Sequence, residues 1–303
     1  MNRLSSPTIS TRTAYLKMHT AIFLWGFTGL LGKFIQLNEG MLVWYRMLIS
    51  SIAIALYLLY KKSIPKISRK EIIVIGSIGI LVMLHWLTFY GSIKASSISV
   101  AMICLSAIAL FSSILEPLIN KAPFDFIEII FSAMAVTGIS TIYNSDVTAS
   151  TGIILGLISA FLSAVFSIFN KRIAGKYESL TISLVELSSG WLFLTLLLPI
   201  YFAFVHTTKF IPSSQDFFYL MILSVVCTVF TWILSLQALR KVSAYTMALA
   251  LNLEPIYGII LAILFAGEGK LMNKGFITGA IIILITVILH TLYKSKNRIF
   301  SKK

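Results

Sequence analysis

Ten apolar runs, each about 20 residues long and joined by short polar segments, constrain this chain more than any other feature. A helix rising about 1.5 Å per residue needs a run of that length to cross the roughly 30 Å hydrocarbon core of a bilayer. The runs read as 17–37, 41–60, 72–91, 96–115, 125–143, 152–170, 180–203, 216–238, 243–265 and 275–293. Inside lipid every backbone N–H and C=O has to be paired within the chain, so each run is expected to be a helix. Composition agrees, because 58% of the residues are hydrophobic and only 12% are charged, against about 25% charged in soluble domains. Joints such as Asn38-Glu39-Gly40 leave no room for an extramembrane domain. The expected fold is all-α and integral to the membrane, with ten transmembrane helices.

The formal net charge of +14 would suggest nucleic acid in a soluble protein. Here the basic residues sit in the joints and report topology instead. Nineteen Lys and Arg residues fall before or at the start of the first span, in the even-numbered joints and in the C-terminal tail, against four on the other side. Positive joints stay inside, so both termini are expected in the cytoplasm and the chain in the cytoplasmic (inner) membrane, with the lipid bilayer as partner and no nucleic acid. The N-terminal segment to Thr13 is polar and no cleaved signal peptide is expected. Cys104 and Cys227 lie within apolar runs and imply neither a disulfide framework nor a metal site.

The sequence repeats weakly. Leu24 to Lys33 (LWGFTGLLGK) aligns with Leu162 to Lys171 (LSAVFSIFNK), and Trp86 with Tyr90 to Lys94 aligns with Trp232 and Leu236 to Arg240 at an offset of 146. Two halves, 1–147 and 148–303, each hold five spans. An odd number of crossings makes the second half insert upside down, which is the inverted-repeat plan of many secondary transporters. Trp25-Gly26 in the first span, Lys33 at its end, Arg46 early in the second and Gly267-Glu268 after the ninth complete a pattern that resembles the drug/metabolite transporter superfamily, specifically its EamA-type members. The first half departs from it, having Leu115-Glu116-Pro117 where a Gly-Glu pair would repeat. The resemblance implies two inverted five-helix EamA-type repeats around a pocket lined by the first, second, third, sixth, seventh and eighth helices.

Ionisable side chains deep in a membrane cost about 2.5–3.5 kcal/mol on insertion scales and are functional candidates for that reason. Arg46 and Glu186 lie on the second and seventh spans, which are equivalents in the two halves, and bracket the midplane about 12–14 Å apart in depth. A carboxylate on Arg46 and an ammonium on Glu186 would let a zwitterion bridge them. A structural ion pair, or Arg46 reaching the headgroups, is the competing reading. Glu254 falls near the middle of the ninth span, where burial disfavours a bare carboxylate, and is the candidate for coupling to protons. His85, Trp86 and Tyr90 on the third span, with Trp25 and Trp191, add the aromatic walls of a small-molecule pocket. The remaining small-residue faces, Gly152 to Ser167 on the sixth span and Gly275-x-x-x-Gly279 on the tenth, read as close helix contacts.

No phosphate-binding loop, metal cluster or catalytic triad is recognisable, so neither an enzyme nor a cofactor is expected. The function expected is a secondary transporter, and an exporter by resemblance, of small metabolites such as amino acids. The alternative is a lipid-linked flippase or a scramblase-like membrane protein.

Overall fold

The computed structural model describes residues 10–63, 67–121, 126–145, 149–173, 176–205, 209–239, 241–242, 250–251, 253–271 and 273–300. They form α1 (Thr11–Phe34), α2 (Glu39–Tyr60), α3 (Arg69–Ala95), α4 (Ile98–Leu105), α5 (Ile108–Asn120), α6 (Phe126–Ser145), α7 (Ser150–Ile173), α8 (Ser179–Phe204) and α9 (Ser214–Met221). A π-helical segment (Ile222–Phe230) follows, then α10 (Thr231–Leu239), α11 (Leu253–Phe265), a 3₁₀ turn (Glu268–Leu271) and α12 (Lys274–Phe300). Six described stretches are long and apolar enough to cross a membrane. They include Ile98–Asn120, which joins α4 to α5, and Ser214–Ser235, which runs from α9 through the π segment into α10.

Polar residues start the helices where the apolar runs begin. Asn38 accepts the Met41 N–H at 2.8 Å to cap α2, and Asn273 accepts the Phe276 N–H at 2.8 Å to cap α12. Ser68 with Glu71 and Ser213 with Asp216 form reciprocal capping boxes at the starts of α3 and α9. The fourth apolar run, expected as one helix, breaks at Ser106 and Ala107. There the N–H groups of both residues turn to carbonyls three residues back, at 3.0 Å each, tightening the chain into a turn before α5. The expected start of the ninth span at 243 lies outside the described residues.

The packing crosses between the two halves. α3 lies against α7 and α8, α1 against α10 and α11, α2 against α8 and the π segment, and α6 against α12. Glycines set the closest approaches. A Cβ on Gly79 of α3 would come 2.1 Å from the Glu186 carbonyl oxygen of α8. On α6 and α12, a Cβ on Gly138 would stand 2.9 Å from the Gly279 carbonyl, and one on Gly279 would stand 2.5 Å from the Gly138 carbonyl. Gly152 and Gly156 of α7 make room chiefly for side chains, those of Ser96 at the first and of Cys104 and Ser92 at the second. In lipid, such close packing rather than hydrophobicity drives helix association.

The outward surface is apolar, with Leu56, Ile73, Leu196, Ile200 and Leu264 all exposed. In a soluble protein a surface of this kind would aggregate, whereas in a bilayer it meets acyl chains. Polar contacts gather at the two ends of the bundle. At one, Lys94 donates to the Ile35 carbonyl (2.5 Å) and Tyr201 to Glu39 (2.5 Å). At the other, Lys171 pairs with Glu116 and Arg172 donates to the Ile119 carbonyl (2.9 Å).

A buried guanidinium as candidate binding site

Arg46 sits two turns into α2 and is 3% exposed. Its guanidinium carbon lies 3.7 Å from the centroid of the Trp86 ring. Nη1 donates to the Tyr90 hydroxyl at 2.8 Å, and Nε donates to Thr228 Oγ1 at 2.9 Å. Trp86 and Tyr90 are four residues apart on α3 and so share one face, which lets a single helix supply both the stacking plane and the first acceptor. Thr228 comes from the π segment, where its hydroxyl donates to the Leu223 carbonyl five residues back, at 2.7 Å. Ser50, one turn beyond Arg46, donates to the Ser224 carbonyl at 3.2 Å and ties α2 to the same segment.

These contacts fix the guanidinium plane without neutralising it. No carboxylate among the described residues lies within 4 Å of Arg46, and three of its five N–H groups have no partner among them. Beyond Tyr90, its electrostatic neighbours are Cys227 and Glu254. A planar fork held on two hydroxyls and an indole face, with donors to spare, is suited to a carboxylate or another planar anion.

The other candidates fall into separate groups. His85 lies within electrostatic reach of Arg46 but is committed to α7. Its Nδ1 donates to the Ser159 carbonyl (2.9 Å), and the Ser159 hydroxyl, 2.8 Å from that nitrogen, donates to the His85 carbonyl (3.0 Å). Glu254, in the first turn of α11, is half-buried and interacts electrostatically with Arg46 and Tyr90. Glu186 is 1% exposed, sits beside Asn170, and keeps Oε1 without a hydrogen bond among the described residues. No ion pair joins it to Arg46 among those residues. Trp25 meets Trp232 edge to face at 6.3 Å, and Trp191 leans on Trp44 at 5.7 Å with no partner for its indole N–H among the described residues.

Two residues owe their roles to the fold alone. Thr228 is a hydroxyl in an apolar run, and its approach to Arg46 depends on π-helical hydrogen bonding that helical periodicity of 3.6 does not register. Glu268, 3% exposed, accepts from the N–H groups of Ile98 and Ser99 (2.8 Å each) and from the Ser99 hydroxyl (2.7 Å). It thus caps α4 from about 170 residues away in sequence. Gly267, at φ 69°, supplies the left-handed turn that ends α11 and delivers that carboxylate.

The model of the EamA-like transporter family matches the chain twice, over residues 12–144 and 150–292. An "uncharacterized transporter" of Schizosaccharomyces pombe is 29% identical over 50% of this chain and 39% of its own length. One of Haemophilus influenzae is 27% identical over 49% of this chain and 52% of its own. The chain thus spans about half or less of those two relatives. The Bacillus subtilis "uncharacterized transporter YxxF" is 21% identical and aligns over 86% of this chain and 85% of its own. Among solved structures, one at 13% identity superimposes with a TM-score of 0.63 over 94% of this chain and 99% of its own, a likeness of fold. A multi-pass apolar helical bundle, a charged group held in its interior and a family match on both halves together lead to one assignment: the chain belongs to the EamA-like transporter family.

Proposed function

We propose that this membrane transporter is a secondary transporter, and an exporter, of small zwitterionic metabolites such as amino acids, working by alternating access in the cytoplasmic membrane. In this reading the chain crosses ten times, with both termini in the cytoplasm and two inverted halves, 1–147 and 148–303, around a central pocket. The family match on each half and the cross-half packing of α1 with α10 and of α3 with α7 support that plan.

One observation carries the substrate class: Arg46 is buried, fixed by Tyr90, Thr228 and Trp86, and has unspent donors. A substrate carboxylate takes those donors. The ammonium group goes to a carboxylate, for which Glu186 offers its unpartnered Oε1. His85, Trp25 and Trp191 serve as walls. Glu254 feels the charge on Arg46, so a proton on Glu254 and an anion on Arg46 influence each other, which is what coupling requires.

Thermal stabilisation of the purified protein by a panel of amino acids, matched amines and matched deaminated acids tests the proposal. Stabilisation by zwitterions that is lost in Arg46→Ala and Glu186→Ala is the expected result. Stabilisation by deaminated acids alone would remove Glu186 from the site. A protein that responds only to lipids would overturn the soluble-substrate reading.

A further inference from the structure

The two capping boxes match each other across the halves. Ser68 with Glu71 and Ser213 with Asp216 stand 145 positions apart, within one residue of the offset that aligns Trp86 with Trp232. In each box one carboxylate oxygen is spent on its own helix. Glu71 Oε2 accepts from the Ser68 N–H (2.8 Å) and hydroxyl (2.7 Å), and Asp216 Oδ2 accepts from the Ser213 N–H (3.1 Å) and hydroxyl (2.7 Å). The second oxygen reaches across to the joint that follows the first helix of the other half. Asp216 Oδ1 accepts the Gln36 N–H at 2.6 Å, two residues past α1. Glu71 Oε1 accepts the Tyr177 hydroxyl at 3.0 Å, four residues past α7.

These crossings lie at opposite ends of the molecule. The bond from Lys94 to the Ile35 carbonyl sets the last turn of α3 beside Gln36, while Glu71 is in the first turn of the same helix, about 35 Å away at 1.5 Å per residue. They are also unequal. Asp216 is 1% exposed and carries a second tie, to Lys209 Nζ at 2.9 Å, whereas Glu71 is half-buried and its cross-joint partner is a phenol.

We propose that Glu71 and Asp216 are paired latches, each holding shut the end of the transporter at which it sits, with the Asp216 end the more firmly closed. A capping acid is a fitting latch. Its own helix holds one oxygen in place, so the other is already oriented and little freedom is lost on closing. The inference rests on the alternating-access reading above, since a latch has meaning only if the two ends open separately.

The test uses full-length protein with Cys104→Ala, leaving Cys227, beside Arg46 in the interior, as the single thiol. A membrane-impermeant maleimide is applied to sealed vesicles of each orientation. Asp216→Ala should raise Cys227 labelling from the Asp216 side about tenfold, as expected for losing a charge-assisted tie. Glu71→Ala should raise it from the other side, and by less. Ser213→Ala and Ser68→Ala, which loosen the caps but keep the carboxylates and their ties to the residue 213 and 68 N–H groups, should raise labelling by less than the carboxylate variants do. If Asp216→Ala fails to fold, Asp216→Asn gives the same reading with a smaller rise. Unchanged labelling in folded carboxylate variants, or an equal rise in the serine variants, overturns the latches. If Cys227 is labelled from one side only, whatever the variant, alternating access fails and the latches fail with it.

Discussion

Arg46 and Thr228 are joined by a 2.9 Å hydrogen bond between an α-helix of the first half and a π-helical segment of the second. The Thr228 hydroxyl is engaged in both senses, since it accepts from Nε and donates to the Leu223 carbonyl. Thr228→Val keeps the shape and removes the acceptor, leaving a buried guanidinium N–H unpaired at a cost of about 1–3 kcal/mol. Substrate affinity is expected to fall about tenfold or more with the fold intact, read by ligand-induced thermal shift. Binding equal to that of the parent would mean that Tyr90 and Trp86 alone fix the guanidinium.

Gly79 faces the backbone of Glu186, where an added methyl would sit 2.1 Å from a carbonyl oxygen. Neither backbone can yield as a flexible side chain does. Gly79→Ala should therefore separate α3 from α8 and lower stability by about 1–3 kcal/mol. The measurement is the melting temperature in detergent, with Gly269→Ala, whose nearest outside atom lies at 3.5 Å, as the tolerant control.

Glu268 carries three hydrogen bonds at the start of α4 with almost no exposure. Glu268→Ala strands two helix-terminal N–H groups and should cost about 2–4 kcal/mol, while Glu268→Gln, which keeps one acceptor, should lose less. Hydrogen exchange at Ile98 and Ser99 reports the effect locally. Protection unchanged in Glu268→Ala would show that water replaces the carboxylate.

Glu254→Gln should flatten the dependence of transport on a pH gradient while leaving substrate-induced stabilisation in place, since the neutral amide preserves shape but carries no exchangeable charge. Counterflow and gradient-driven uptake in proteoliposomes separate the two effects. A gradient response equal to that of the parent would take the coupling role away from Glu254.

The apolar runs were legible in the sequence because hydropathy is a local property, whereas the caps at Asn38, Ser68 and Ser213, although set within one turn, emerged only with the helix starts. Arg46, Trp86 and Tyr90 were legible as candidates because cost singles out a charge in an apolar run and a spacing of four places two aromatics on one face. Their joint contact with Thr228 was not, since it spans 182 residues and depends on a departure from α-helical geometry. His85 was legible as a wall residue, and only the fold places Ser159 of α7 against its ring nitrogen. Glu268 was visible only through family resemblance; its task, closing a helix end in the other half, is a long-range fact.

Between α6 and α12, Gly138 and Gly279 meet main chain to main chain. The facing carbonyls are wedged between the side chains of Ile142, Ile282 and Ile283, so the seam is filled on every side and leaves no slack for sliding or rotation. The two helices therefore behave as a single strut, so whatever rearrangement carries cargo through the molecule is borne by the joints around that strut and not within it.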